Sequence, residues 1–426
     1  MEAARIALTS RFGTKCMDSL PVYLEKGGYK TARRVLLEMT PAAVIEEVKK
    51  AWLRGRGGAG FPAGVKWGFV PKSSGKPKYL CVNADEGEPG TFKDRYILGL
   101  APHLVLEGVL IASYALGVGD AFIYIRGEDV RVAQCLENAV SEALAGGYLG
   151  DNIFGKGFSL KVQVFRGAGA YICGEETALL ESIEGKQGRP RLKPPFPVSM
   201  GLFGCPTVIN NVETLCNIPL ILENGAELFL KNGKPRDGGT RLFGVSGRVR
   251  RPGVYELPVG TLLRDIIFEN AGGLGDGLTL KAVIPGGISS PILTPSEIDI
   301  PMDFDSLSRA GSMLGSAAII VIDQKTPIFD VLRHVARFYA HESCGKCTPC
   351  RIGTAWIRKI VERLAAGNGE GRDLDEIMRL AENMRGKTLC PMGDAAALPI
   401  QALIRKFRAE LDLSIGRIQG KGEAVC

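Results

Sequence analysis

Several things are scarce in this 426-residue chain. Aromatic residues make up 7% of it, and no run of lysine and arginine interleaves with them. The footprint of a nucleic-acid groove is therefore missing. The net charge of +7, from 53 basic and 46 acidic residues, is spread along the chain and reads as a solvated surface. The N-terminal MEAARIALTSRFGTK lacks the apolar core of a signal peptide. The most apolar stretch, residues 106–125, is interrupted by Glu107 and Asp120 and by Gly108, Gly117 and Gly119. It falls short of the roughly 20 apolar residues of a membrane helix and is predicted to be a buried helix (103–116) followed by a core strand (121–125). No internal repeat occurs. The 11 cysteines are too scattered for a disulfide scaffold in a chain of this length. A soluble protein is expected, in a reducing compartment where thiols stay available to metal.

What is present is glycine, at 55 residues, and enough apolar content (45%) for two or three domains. Residues 42–55 have a helical pattern, residues 78–84 read as a strand, and a helix near 130–145 precedes an alternating strand at 160–166. This alternation predicts an α/β domain over 1–235. Composition changes at NGKPRDGG (232–239). The segments 241–249, 253–257, 280–284 and 317–322 then read as strands around a helical 261–273, a small α+β unit of β-grasp type over 236–326. Apolar residues at 3–4 spacing predict four helices, 327–342, 352–367, 374–384 and 396–411. They form a helical bundle over 327–415, with 416–426 as a flexible tail.

ESCGKCTPC (342–350) sets Cys344, Cys347 and Cys350 at C-x2-C-x2-C spacing. Such a loop offers three sulfurs to three corners of a cubane, and a remote cysteine followed by proline, here Cys390 before Pro391, supplies the fourth. This spacing favours a 4Fe-4S cluster. A zinc site completed by His341 is the competing reading, although structural zinc usually pairs C-x2-C with a second C-x2-C or with histidines. Cys81, Cys135, Cys173, Cys205 and Cys216 read as small buried residues. An iron–sulfur cluster moves electrons singly, so an electron source is expected in the first 235 residues.

Gly55, Gly57 and Gly60 match G-x-G-x-x-G, but a helix precedes them where a dinucleotide fingerprint needs a strand. Pro62 and Gly64 weigh against a helix immediately after. The loop can still bring amides close to a phosphate or a ring, with Lys66 adding charge and Phe61 a flat face; a plain turn is the alternative. Asp85, Glu86 and Glu88 crowd NADEGEPG (83–90), and carboxylates this close need a compensating partner or solvent. CGEETALL (173–180) opens a helix whose amides suit a phosphate, unless Glu175 and Glu176 simply offset the dipole. INNVETL (209–215) places Asn210, Asn211 and Thr214 where they can meet a polar ring edge, or merely form a turn.

Taken in order, GRGGAGFPAGVKW, VNADEGEPGTFKDR, GAGAYICGEETALLESIEGK, RLKPPFP, INNVETL and ESCGKCTPCR…LCP resemble the NADH-binding flavoprotein subunit (F type) of respiratory NADH:quinone oxidoreductase, complex I, over about residues 50–400. The same module occurs in NAD-linked hydrogenases and formate dehydrogenases. The resemblance implies hydride transfer from NADH to non-covalent FMN, then single-electron transfer to the 4Fe-4S cluster and onward towards quinone. It implies cofactor contacts at Gly55, Arg56, Gly57, Gly58, Gly60, Phe61, Lys66, Phe69, Asn83, Asp85, Glu86, Gly87, Glu88, Tyr171, Gly174, Glu175, Glu176, Lys193, Phe196, Asn210, Asn211 and Thr214. Within that set Phe61, Phe69 and Phe196 surround the adenine side of NADH and Lys193, Glu88 and Glu176 lie near its polar parts, Glu88 and Glu176 being the catalytic candidates. The cluster ligands it implies are Cys344, Cys347, Cys350 and Cys390. The partners are a thioredoxin-like 2Fe-2S subunit and a larger iron–sulfur subunit, and the place is the peripheral arm on the cytoplasmic side of a bacterial inner membrane, with no span of its own.

Overall fold

The computed structural model describes residues 8–71, 75–370 and 372–422. They form two compact units: Met1–Gly87, Thr91–Phe243 and Val254–Thr261 make the first; Glu88–Gly90, Gly244–Gly253 and Leu262–Cys426 make the second. No single helix among the described residues is long and apolar enough to cross a membrane.

The first unit is built on a five-stranded sheet. Its strands are β1 (Tyr79–Ala84), β2 (Asp120–Ile125), β3 (Gly150–Ile153), β4 (Phe158–Arg166) and β5 (Thr207–Asn211), in the order β3-β4-β2-β1-β5. Strands β1, β2, β4 and β5 are parallel, and β3 closes the edge antiparallel to β4. In register Asn83 faces Tyr124 on one side and Asn211 on the other, and Ile125 faces Arg166. All four parallel strands therefore end on one edge, where open α/β sheets bind their ligands.

The apolar stretch forms the helix Pro102–Leu116, buried at every position except Tyr114, and then β2. A helix apolar on all sides belongs inside. Gly108 is a contact rather than a break, because a Cβ there would overlap the Leu215 carbonyl of the neighbouring helix Val212–Asn224. The buried Glu107 accepts from the amides of Tyr29 and Ala32, each at 3.0 Å, at the start of the helix Lys30–Glu38. Its charge is thus held by otherwise orphaned N–H groups. Two features differ from the sequence expectation. A short helix, Ala63–Gly68, does follow the glycine loop, with Pro62 as its N-cap. Proline costs little at a helix start, since the N–H it lacks has no intrahelical partner there. Residues 207–211, to which the sequence assigns no element, form β5, so the turn alternative for Asn210 and Asn211 falls; a five-residue strand buried on both faces carries no alternation to reveal it.

In the second sheet β6 (Thr240–Gly247), β7 (Gly253–Pro258), β8 (Leu280–Ile284) and β9 (Ala318–Asp323) run in the order β7-β6-β9-β8. Strand β6 begins in the first unit and ends in the second. It is parallel to β9, and β8 is antiparallel to β9. The helical stretch expected at 261–273 is a single turn, Leu263–Asp265, and a π-turn, Ile266–Asn270, ended by Gly272 and Gly273 at φ +76° and +68°. Among the described residues the C-terminal part of the second unit contains five helices where four are expected: Ile328–Glu342, Thr348–Ala365, Arg372–Met384, Met392–Lys406 and Arg408–Gly422. The last replaces most of the tail expected at 416–426, of which residues 423–426 lie outside the described ones. Leu411 and Ile415, four residues apart, are both buried and hold it down, although the glycines beyond them hide the pattern.

Candidate functional site

The glycine loop is closed at its neck. The Gly55 amide donates to the Phe61 carbonyl at 2.9 Å, and the Ala63 amide to the Leu53 carbonyl at 2.9 Å. Gly58 and Gly60 take φ +126° and +66°, backbone that side-chain-bearing residues rarely adopt. A Cβ on Gly57 would lie 3.0 Å from the Asn211 Cβ, so the loop presses on the end of β5. Arg56 points the other way. Its side chain is fully buried, with Nη1 on Asp237 at 2.9 Å and Nη2 on the carbonyls of Gly238 and Thr240. Its amide donates to Thr214 Oγ1 at 2.8 Å. Arg56 and Thr214 therefore fix the loop from beneath.

The acidic loop leaves β1 on the same edge. Asn83 Nδ2 donates to the Gly174 carbonyl at 2.8 Å, joining this loop to the turn Tyr171–Gly174. Asp85 pairs with Arg126, which stands at the end of β2, at 3.2 Å. A Cβ on Gly87 would overlap the same guanidinium. Arg126 is thus one compensating charge that the crowded acids require. Glu86 turns inward to start the helix Lys93–Leu100, accepting from the amides of Asp94 and Arg95 at 2.7 and 3.2 Å and from Arg95 Nε at 2.9 Å. Burial and the neighbouring Asp94 push its carboxyl up to about 7, against the pull of Lys93 and these hydrogen bonds. Below it, buried Lys93 reaches Asp94 at 2.8 Å and Glu213 at 2.7 Å, and Asp94 accepts from Asn211 Nδ2 at 2.6 Å. Burial disfavours the Lys93 ammonium, but the carboxylates of Asp94, Glu213 and Glu86 more than offset this and raise it.

Across the edge, the helix Glu176–Ile183 is capped by Glu175, whose carboxylate takes the amides of Thr177 and Ala178 at 2.9 and 3.0 Å. The phosphate site expected on those amides is therefore filled by the chain's own acid, because an acidic N-cap satisfies the same orphan donors. Lys193 Nζ bridges Glu175 at 3.0 Å and Glu176 at 2.9 Å. Burial would lower this lysine, yet the two carboxylates hold it above its ordinary value. Lys66 Nζ donates to the Ile209 carbonyl at 3.0 Å. Burial lowers it, Glu176 raises it and Lys193 lowers it further, so these three side chains share one field. Buried Asn210 accepts from Trp67 Nε1 at 2.9 Å. Phe61 and Phe69 stand 46% and 59% exposed with ring centroids 6.3 Å apart, and Phe196 is also exposed. Glu88 belongs to the second unit, where the Ser289 amide donates to it at 2.8 Å. Sequence reading missed Arg126, Trp67, Lys93, Asp94, Glu213 and Asp237. Only the first-turn acids and bases of FKDR hinted at any of them.

The cysteine motif opens the helix Thr348–Ala365. Cys347 is its N-cap and Cys350 lies in its first turn. Cys390 sits immediately before Pro391, the N-cap of Met392–Lys406. Cys350 is buried, with Ser343 Oγ 3.3 Å from its sulfur. Burial pushes this thiol up, Ser343 pulls against that, and Cys347 and Cys344 add to the rise, so the three sulfurs feel one another. Among the described residues no three His, Cys, Asp or Glu side chains are gathered closely enough to hold a single metal ion. An all-thiolate donor set on a tight loop plus one remote turn fits a 4Fe-4S cluster. The glycine loop, bare of side chains against Asn211, fits a flat cofactor brought close to backbone.

Comparison with known proteins places these regions. The Nuo51 FMN-binding domain matches residues 48–220, an SLBB domain matches 242–287, and the NADH-ubiquinone oxidoreductase-F iron-sulfur binding region matches 330–413. The last match decides against the zinc reading. The chain is 53% identical over 391 residues to the second F subunit of NADH-quinone oxidoreductase of Rhizobium meliloti (strain 1021), covering 92% of this chain and 93% of that protein. It is 51% identical over 393 residues to the NADH-quinone oxidoreductase F subunit of Rickettsia felis (strain ATCC VR-1525 / URRWXCal2), covering 92% of each. Among solved structures, an NAD+-reducing [NiFe]-hydrogenase in the H2-reduced state matches with a TM-score of 0.83 and 39% identity over 93% of this chain. This chain spans 66% of the length of that hydrogenase chain.

Proposed function

Because the chain belongs to the family of NADH-quinone oxidoreductase F subunits, we propose that it oxidises NADH with FMN held on the β1–β5 sheet edge and passes the electrons to a 4Fe-4S cluster on Cys344, Cys347, Cys350 and Cys390. The carrying observation is the convergence on that edge of the glycine loop, Asn83 bonded to Gly174, and Lys193 bridging Glu175 and Glu176. Bound FMN supplies the change from a two-electron donor to one-electron acceptors. No protein base is needed for hydride transfer, so the chain's task is positioning. Gly57 and Gly58 bring backbone to the cofactor, and Asn210, Asn211 and Asn83 present amide edges. Lys193 is held in place by two carboxylates and offers a charge or a donor to the dinucleotide. Phe61, Phe69 and Phe196 give flat apolar faces for its adenine. Glu88, a carboxylate near the nicotinamide, repels the anionic dinucleotide and speeds product departure.

The chain divides into an FMN- and NADH-binding domain (1–235), a β-grasp domain (236–326) and a helical cluster domain with a four-helix core (327–415). Its partners are a thioredoxin-like 2Fe-2S subunit and a larger iron–sulfur subunit of the peripheral arm, at the cytoplasmic face of a bacterial membrane. The likeness to the NAD+-reducing hydrogenase supports a second assembly, the same electron module serving a hydrogenase. Anaerobic purification with FMN tests the core reading. Flavin absorbance, about four irons per chain and NADH–ferricyanide activity are expected, and colourless, iron-free protein inert to NADH would refute it. Cys390→Ser keeps the ferricyanide activity and loses or alters the cluster signal; an intact cluster removes Cys390 from the ligand set.

A further inference from the structure

Arg351 follows Cys350 in the first turn of Thr348–Ala365, and its side chain folds back over the cysteine loop. Its Nη1 donates to the Gly345 carbonyl at 2.7 Å, and its Nη2 to Thr348 Oγ1 at 3.3 Å. Its amide donates to the Cys347 carbonyl at 3.0 Å. Its Cδ lies 3.8 Å from where a Cβ on Gly345 would stand, and Gly345 holds φ +73°. One guanidinium thus touches the segment between Cys344 and Cys347 and the segment between Cys347 and Cys350. The surroundings are cationic: Lys346, Arg385 and Lys387 are also exposed on the two cysteine-bearing turns. Glu342 stands two residues before Cys344, and two further carboxylates on these elements have contacts of their own. Asp394 accepts from the Gly386 amide at 2.7 Å, and Glu382 accepts from Gln401 at 2.9 Å with Arg385 at 3.9 Å.

We propose that Arg351 is a positioning residue for the iron–sulfur cluster: it braces the C-x2-C-x2-C loop through Gly345 and Thr348, and its fixed positive charge raises the reduction potential of the cluster. Four thiolates make the site anionic, and each one-electron reduction adds a further negative charge. A neighbouring cation stabilises the reduced form more than the oxidised one, and net charge and hydrogen bonding around the sulfurs are what tune such potentials. A guanidinium keeps its charge at any working pH and offers two donors in a rigid fork, so it serves both roles at once. The charge is solvent-exposed and must therefore be screened by salt. The proposal rests on the four-cysteine assignment. That assignment fails separately if the unaltered protein carries no 4Fe-4S signal.

The test is a mediated redox titration of the cluster, followed by electron paramagnetic resonance, on the unaltered protein, Arg351→Met and Arg351→Lys, each with its iron content. Arg351→Met is expected to keep its iron and to shift the reduced-to-oxidised ratio at a fixed potential about tenfold towards oxidised, or 59 mV for one electron. Arg351→Lys should titrate close to the unaltered protein. The gap to Arg351→Met should narrow from low salt to about 1 M, where the screening length falls to about 3 Å. Loss of iron in Arg351→Met alone, with Arg351→Lys intact, also supports the charge. An Arg351→Met protein that keeps its iron and its potential overturns the proposal, as does a shift indifferent to salt or shared equally by Arg351→Lys. Loss of iron from both variants supports the brace and overturns the charge role, leaving Arg351 a builder of the loop.

Discussion

Glu86 shows how one side chain is committed by its surroundings. Its carboxylate starts a helix, yet burial lifts it to about 7, whereas an unfolded glutamate titrates near 4.3. The native state therefore binds this proton more tightly than the unfolded state does. Its contribution to stability is present below about pH 4 and is lost as pH rises through about 7. The unfolding midpoint of the first unit should fall over that window, and Glu86→Gln should flatten the slope; an unchanged slope assigns the effect elsewhere. Glu88 makes a separate prediction. If its charge repels the dinucleotide, Glu88→Gln tightens NAD(H) binding severalfold in a direct titration, and equal affinity refutes the role.

At the scale of elements, the glycine loop depends on what anchors it. Arg56 ties residues 55–61 to Asp237 and to the carbonyls leading into β6, with both charges buried. Arg56→Met would leave Asp237 charged and buried without this partner, a change that costs roughly 3–5 kcal/mol. Urea unfolding should read that loss. A variant as stable as the parent would mean that the pair contributes nothing. The two helix starts on the sheet edge teach a related lesson. Glu175 and Asn211 cap their own helices, with Asn211 Oδ1 3.4 Å from the Thr214 amide.

For the whole molecule, the division into two compact units assigns the cysteine motif to the second and most of the residues proposed to hold FMN to the first. Metal binding couples to folding only where its ligands lie. Removing iron anaerobically with a chelator should lower the calorimetric transition of the second unit and leave that of the first in place. A uniform shift of both transitions, or of neither, contradicts this separation.

Much of this was determined by the sequence itself. Apolar spacing locates the helices Ile328–Glu342 and Thr348–Ala365, the alternation in β4 is visible, and C-x2-C-x2-C with a distant Cys-Pro favours a 4Fe-4S cluster over zinc, because periodicity and ligand spacing are local properties of a chain. Tertiary structure decided the rest. Asp85 meets Arg126 across 41 positions and Arg56 meets Asp237 across 181. Asp85 and Arg126 become partners because the parallel strands β1 and β2 end on one edge, and Arg56 and Asp237 because two loops distant in the chain pack together; burial then fixes which carboxylate keeps its proton and which side chain turns inward.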